Sequence, residues 1–194
     1  EYFPQKPFEL LPVSFADSLR QSIARARNAS PDVRVNSDLY LSYLIEEVKP
    51  MVNAQFATYD LASTTGIAGS SMGGLMSMYA ALEYPSHFGT ALCLSTHWPG
   101  GFAPNETVPN AFLAYMAERL DATSGQKFYF DLGTETLDAH YAPYQQRVDS
   151  LLLAKGFQPN TQWLTRTFEG DAHDERSWAR RLAQPLLFAF EKQR

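Results

Sequence analysis

The stretch GIAGSSMGGLMSMYAALEYP, Gly66 to Pro85, decides the reading of this chain. Two adjacent serines, fenced by glycines, join a short apolar run to a segment with helical periodicity. Gly69-Ser70-Ser71-Met72-Gly73 fits the pattern G-x-S-x-G with Ser71 at its centre. Ser70 as the centre would need glycine at 68 and 72, where Ala68 and Met72 stand. The pattern describes a sharp strand-to-helix turn that holds the central serine in a strained conformation with its hydroxyl exposed. The residues two before and two after are small because strand and helix backbones crowd there, and Gly74 gives further room for helix–sheet packing. The helix after the turn aims free N–H groups and the positive end of its dipole at it. The Met72 N–H, next after the serine, is the expected oxyanion donor. A phosphate-binding loop is the competing reading, but no Gly-Lys-Ser/Thr comes after it.

Working outward, the chain from Thr64 alternates strand and helix. TTGIAG leads into LMSMYAALEYP, whose Leu75, Met78, Tyr79 and Leu82 share a stripe, and Pro85 lies just past the helix end. TALCLS, KFYFDLG and QWLTRTF read as three more short apolar strands. They are separated by the helices PNAFLAYMAERL and APYQQRVDSLLLAKG, the second stopped at Gly156. DERSWARRLAQPLLFAFEKQ reads as one closing helix. This order predicts a parallel sheet with helices on both faces, in a single domain over residues 1–194. Upstream, SFADSLRQSIARARN reads as a helix with Phe15, Leu19 and Ile23 on one face, and ASPDVRVNS as a loop. SDLYLSYLIEEVKPMVNAQF reads as an amphipathic helix that Pro50 should kink or whose regular part it should end.

Composition sets outer bounds. Hydrophobic residues make up 45% and charged residues 19%, the balance of a globular chain. A net charge of -5 argues against nucleic acid and anionic membranes as partners, and no apolar run approaches the length of a membrane span. The one cysteine, Cys93, sits inside TALCLS and reads as a small buried hydrophobe rather than a nucleophile.

A serine nucleophile needs a base, and the base needs a group to orient it. Of His87, His97, His140 and His173, only His173 lies in the loop after the last strand, where a Ser–acid–His chain order puts the base. His87 and His140 read as surface residues. His97, in STHWPG after the second strand, is expected either to line a substrate pocket with Trp98 or to hold the loop structurally. The acid should come after the third strand, where GTETLDAHY offers Glu135 and Asp138. Asp138, shorter and at the start of the next helix, is preferred over Glu135. Asp131, inside the strand, reads as structural. His173-Asp174-Glu175 is a poor chelate, because adjacent residues on a turn seldom bind one ion, so no metal is expected.

IAGSSMGGLMSMYAALEYPSHFG, CLSTHWPG, FYFDLGTETLD and FEGDAHDERSWARRL together resemble the branch of the α/β-hydrolase superfamily that includes esterase D-like, enterochelin-esterase-like and feruloyl-esterase-like enzymes. The resemblance implies an α/β-hydrolase fold and a serine carboxylic-ester hydrolase with Ser71 as nucleophile, His173 as base and an acid in the 135–138 loop. It implies a small-molecule ester as substrate and no cofactor. An acyltransferase on the same fold, or an inactive fragment serving as a binding module, are the rival readings. The family has members in the cytosol, the periplasm and outside the cell, with the latter two slightly favoured here. Its members carry strands before the serine-bearing part, including a loop that completes the oxyanion hole. EYFPQKPF resembles the segment that comes after those strands, so the fold is expected to be N-terminally incomplete. The chain is then expected to associate with an upstream segment or with a second copy of itself.

Overall fold

The computed structural model describes residues 3–26, 35–101 and 104–190. Helices α1 (Gln5–Glu9), α2 (Val13–Ala26), α3 (Ser37–Tyr43) and α4 (Lys49–Gln55) come first. Then β1 (Gly66–Ser70), α5 (Met72–Glu83), β2 (Thr90–Leu94), α6 (Thr107–Arg119), β3 (Lys127–Gly133), α7 (Ala142–Ala154) and β4 (Trp163–Phe168) alternate. Helices α8 (Glu175–Arg181) and α9 (Ala183–Phe190) close the chain. Every strand expected from Thr64 onward is present, and so is every helix between them. The loop expected over 29–37 falls, for 29–34, outside the described residues. So do the side chain of Ile23 and the end of the closing segment past 190.

The four strands are all parallel and lie in chain order, β1-β2-β3-β4. Gly66–Ser70 run beside Thr90–Leu94, and those beside Lys127–Asp131. Alternation along the strands divides the core. Ala91, Cys93, Phe128 and Phe130 face the larger cluster, with Leu75, Met78, Phe112, Val148 and Leu152 from α5, α6 and α7. Leu92, Leu94 and Tyr129 face the other way, against Trp178 and Phe188 from α8 and α9. Helices therefore cover both faces, as the pattern of short fully apolar strands requires. Cys93 is fully buried, and burial pushes its thiol pKa far up, so it behaves as a hydrophobe.

Two elements are interrupted at proline, the first as a disturbance expected at Pro50 and the second against expectation. The amphipathic helix does not simply kink at Pro50. It passes through a π turn at Leu44–Val48 and restarts as α4 with Pro50 in its first turn. Pro50 has no N–H to give to the carbonyl four residues back, and the wider turn absorbs the mismatch. The single closing helix expected from DERSWARRLAQPLLFAFEKQ is two helices. Pro185 cannot bond to the Arg181 carbonyl, so the ladder breaks at Leu182 and α9 starts afresh.

β1 pairs on one side only, leaving its other edge free among the described residues. Gly66 and Ala68 are exposed there. A cleft of about 800 Å³ runs along this edge, lined by Leu44, Val48, Val52, Met72, Met76 and Phe190 among others.

Candidate active site

The carboxyl ends of parallel strands are where a doubly covered sheet leaves room for a site, and each of the four strands here delivers a polar residue to that end. Ser71 follows β1 with φ 57° and ψ -119°, a conformation L side chains rarely adopt. Backbone bonds hold it there. Its N–H donates to the Leu94 carbonyl at 2.9 Å, and its own carbonyl accepts from Gly74 N–H at 3.0 Å and His97 N–H at 3.2 Å. A Cβ on Gly69 would come within 2.4 Å of the Gly73 carbonyl oxygen, so Gly69 is required by the crowding read from the sequence. Gly73 is a different case. A Cβ there meets nothing within 4 Å, because Gly73 faces the cleft beside the free edge of β1. Gly74 abuts Thr96, whose Oγ1 would lie 2.9 Å from an added Cβ.

His173 follows β4, in the loop before α8. Its Nε2 lies 2.9 Å from Ser71 Oγ and its Nδ1 lies 2.6 Å from Asp138 Oδ1. A carboxylate oxygen only accepts, so Nδ1 carries the proton and Nε2 presents its lone pair to the Ser71 hydroxyl. The loop is fixed at both ends: His173 N–H donates to Thr136 Oγ1 at 2.8 Å, and Asp174 caps α8 by accepting from Ser177 N–H at 2.7 Å. The ring stands edge-to-face between Tyr141 and Trp178, with centroids 5.5 and 5.1 Å away.

Asp138 sits in a 3₁₀ turn, Thr136–His140, after β3 and is 1% exposed. Its Oδ2 accepts from Gly133 N–H at 2.6 Å and lies 2.5 Å from Ser95 Oγ. Burial alone would raise its pKa, but the bonds from His173, Ser95 and Gly133 hold it below the ordinary carboxylate range, and it stays ionised. Glu135, the alternative acid, is exposed. Asp131 is 1% exposed and salt-bridged to Arg181 at 2.8 Å. Burial pushes its pKa up to about 6 against the pull of Arg181.

Met72 opens α5, so its N–H has no partner one turn back within the helix and lies beside Ser71. His97 is half-buried, 6.3 Å centroid to centroid from His173. Its Nε2 bonds the Gly101 carbonyl, which fixes the proton on Nε2, and Nδ1 accepts from the Tyr141 hydroxyl. Both nitrogens are thus engaged, and burial lowers its pKa, which favours the neutral ring. Trp98, expected beside it on a pocket wall, lies instead in the core. It is 2% exposed, packed on Phe112 and Phe130, with its indole N–H donating to Gln145 Oε1. Its neighbour at 97 faces the site, and the turn sends the larger ring inward. His140 is exposed, and His87 is half-buried against Tyr84.

Four residues escaped the sequence reading: Ser95, Tyr141, Trp178 and Arg181. Ser95 carries a weak signal, standing directly after a strand in CLSTH. Arg181 carries one too, since Ser177 and Arg181 are four apart, and both face inward on α8.

A family model described as "Putative esterase" matches residues 12–189. The chain belongs to that esterase family. It is 28% identical over 158 residues to the Iron(III) enterobactin esterase of Escherichia coli K12, covering 78% of this chain and 36% of that one. Among solved structures it is similar to the enterobactin esterase of Shigella flexneri crystallised with enterobactin, with a TM-score of 0.65 at 25% identity over 80% of this chain and 37% of that one. A ferulic acid esterase shares the fold, with a TM-score of 0.61 at 17% identity over 77% of this chain and 60% of that one. This member of the family thus has an α/β-hydrolase fold and spans a little over a third of the enterobactin esterases it matches.

Proposed function

We propose that this chain is a serine carboxylic-ester hydrolase that works through Ser71, His173 and Asp138. One observation carries the reading: an unbroken line of hydrogen bonds from Ser71 Oγ through both His173 nitrogens to Asp138, at 2.9 and 2.6 Å. A solvent-reachable hydroxyl on a strained turn, with a neutral imidazole poised to accept its proton, is the arrangement acyl transfer needs. The esterase membership and the named ester substrates of its relatives support the same class.

In the proposed cycle Ser71 Oγ attacks the ester carbonyl carbon while His173 Nε2 takes its proton. The carbonyl oxygen becomes an oxyanion beside the Met72 N–H. The intermediate collapses, the C–O bond to the alcohol breaks, and His173 returns the proton to the leaving alkoxide. Water then attacks the acyl-enzyme carbonyl, giving its proton to His173 Nε2; the bond from the acyl carbon to Ser71 Oγ breaks, His173 returns the proton to Ser71 Oγ, and the carboxylic acid leaves. Asp138 stays ionised throughout, holds the imidazole in the Nδ1–H tautomer and offsets the imidazolium charge. The His97 ring forms part of the substrate wall.

The test is labelling with a fluorophosphonate probe, together with turnover of a short-chain p-nitrophenyl ester. Ser71→Ala should lose both, with a rate loss on the order of 10⁶, while Ser70→Ala keeps a substantial fraction of each. Equal loss in both variants would mean that the register of the serine is wrong. A wild-type chain that folds but takes no label would favour a binding module over an enzyme.

A further inference from the structure

The Ser95 hydroxyl is surrounded by three polar groups, and their chemistry fixes where its proton goes. Trp178 Nε1 lies 2.9 Å from Ser95 Oγ, Arg181 Nη2 lies 2.6 Å away and Asp138 Oδ2 lies 2.5 Å away. An indole N–H and a guanidinium only donate, and a hydroxyl has two lone pairs and one proton. Trp178 and Arg181 occupy the lone pairs, so the proton is left for Asp138. Arg181 is itself clamped. Its side chain is 1% exposed and bonded to Asp131 Oδ1 at 2.8 Å and Asp171 Oδ2 at 3.2 Å. The donor into Ser95 therefore cannot swing away without breaking the ion pair with buried Asp131.

Ser95 occupies its place at a conformational cost. It is fully buried at the end of β2 with φ 42°, in the left-handed region where glycine sits without strain. A side chain held in such a conformation, with every hydrogen-bonding valence used, is there for the hydroxyl. That hydroxyl reaches two parts of the site together. Through Asp138 Oδ2 it sets the rotation of the carboxylate whose other oxygen holds His173. Through the Trp178 indole it sets the ring that stands at 83° to the His173 imidazole.

We infer that Ser95 is a positioning residue, committed by Arg181 and Trp178 to donate to Asp138 and so to hold His173 in register with Ser71. The inference rests on the triad reading above, and its test separates the two. Ser95→Gly fits the backbone and removes the hydroxyl. Ser95→Cys keeps the shape and substitutes a weaker donor. Both are compared with wild type and Ser71→Ala for kcat and KM on a p-nitrophenyl ester, and by NMR of the His173 Nδ1–H proton without substrate. Loss of a hydrogen bond to a charged group predicts a kcat about tenfold or more lower in Ser95→Gly, KM within about twofold, and a shifted or broadened Nδ1–H resonance. Ser95→Cys should fall between it and wild type. A folded Ser95→Gly with kcat within about twofold of wild type, or with lower kcat and an unchanged resonance, overturns the inference. If Ser95→Gly does not fold, Ser95→Cys decides by the same two readouts, and wild-type values there overturn it. An active Ser71→Ala would sink the triad reading itself, whatever Ser95 does.

Discussion

Asp138→Asn puts the site's proton bookkeeping to the test. The carboxylate meets one donor at Oδ1, the His173 Nδ1–H, and two at Oδ2, from Gly133 N–H and Ser95 O–H. An amide has one oxygen and one NH₂, and must choose. With NH₂ at the Oδ2 position it would face two donors, one of them a backbone group that cannot turn. With NH₂ at the Oδ1 position it faces only one, and the imidazole can answer by moving its proton to Nε2. The second arrangement costs less, so the asparagine variant should fold with its NH₂ against His173. Nε2 then carries a hydrogen and can no longer accept from Ser71. Loss of the acid in this way lowers kcat by about 10⁴ in a Ser-His-Asp triad, equivalent to about 5 kcal/mol of barrier. The measurement is kcat on a p-nitrophenyl ester with matched circular dichroism spectra. Glu135→Gln, at an exposed position, should change stability by no more than about 0.5 kcal/mol and leave kcat near wild type. A folded Asp138→Asn with kcat within about tenfold of wild type would refute the reasoning, and a large loss in Glu135→Gln would hand the role of the acid to Glu135.

Gly69→Ala should destabilise by about 1–3 kcal/mol or fail to fold, because its Cβ would strike the Gly73 backbone, whereas Gly73→Ala should melt within a few degrees of wild type; thermal melts of both check this. Asp131 and Asp138 act on stability with opposite signs. Asp131, raised from 3.8 to about 6, contributes stability that is full below its unfolded value and lost as pH climbs toward 6. Asp138, lowered, contributes stability present above the unfolded value and lost as pH falls below it. Asp131→Asn should therefore flatten the decline in Tm between about pH 4 and 6, and an unchanged slope would count against the buried-charge account. The free β1 edge should recruit a strand from another chain, so sedimentation at micromolar concentration should show species heavier than 21.8 kDa; a cooperatively unfolding monomer would argue otherwise.

The alternation of elements after Thr64 was legible because each strand is short, apolar and bounded by turn residues, so periodicity and punctuation agree. Ser71 and His173 stood out as candidates because local spacing and position after a strand single them out, and the structure brings the two side chains within 2.9 Å. Asp138 was separable from Glu135 only by reach and rigidity, and burial is what distinguishes them in space. The side chains around Asp138 were not legible. Ser95, Trp178 and Arg181 come from two elements more than eighty residues apart, and nothing in a linear pattern says that they meet. Trp98 went astray for a related reason: which way a ring turns after a strand depends on the helix opposite, here α6 with Phe112. The two proline effects were half visible. Pro50 announced a disturbance and Pro185 was passed over, and whether the backbone answers with a π turn or a clean break depends on what the flanking turns bury.

The strictly sequential order of the sheet has a consequence for how the protein is made. β1 supplies Ser71, β2 Ser95, β3 Asp138 and β4 His173, so each successive crossover adds one part. The serine and the histidine bonded to it are 102 residues apart in sequence, and Arg181 comes later still. A nascent chain emerging from the ribosome can dock β1, β2 and β3 through neighbouring contacts while Ser71 is still without its His173 partner. At a synthesis rate of about 5–20 residues per second, that serine is held idle for several seconds on a partly built sheet. Ser71 gains its hydrogen bond to His173 only after the last strand has docked, so under the proposed mechanism a chain stalled short of that point would expose the strained turn without a base beside it.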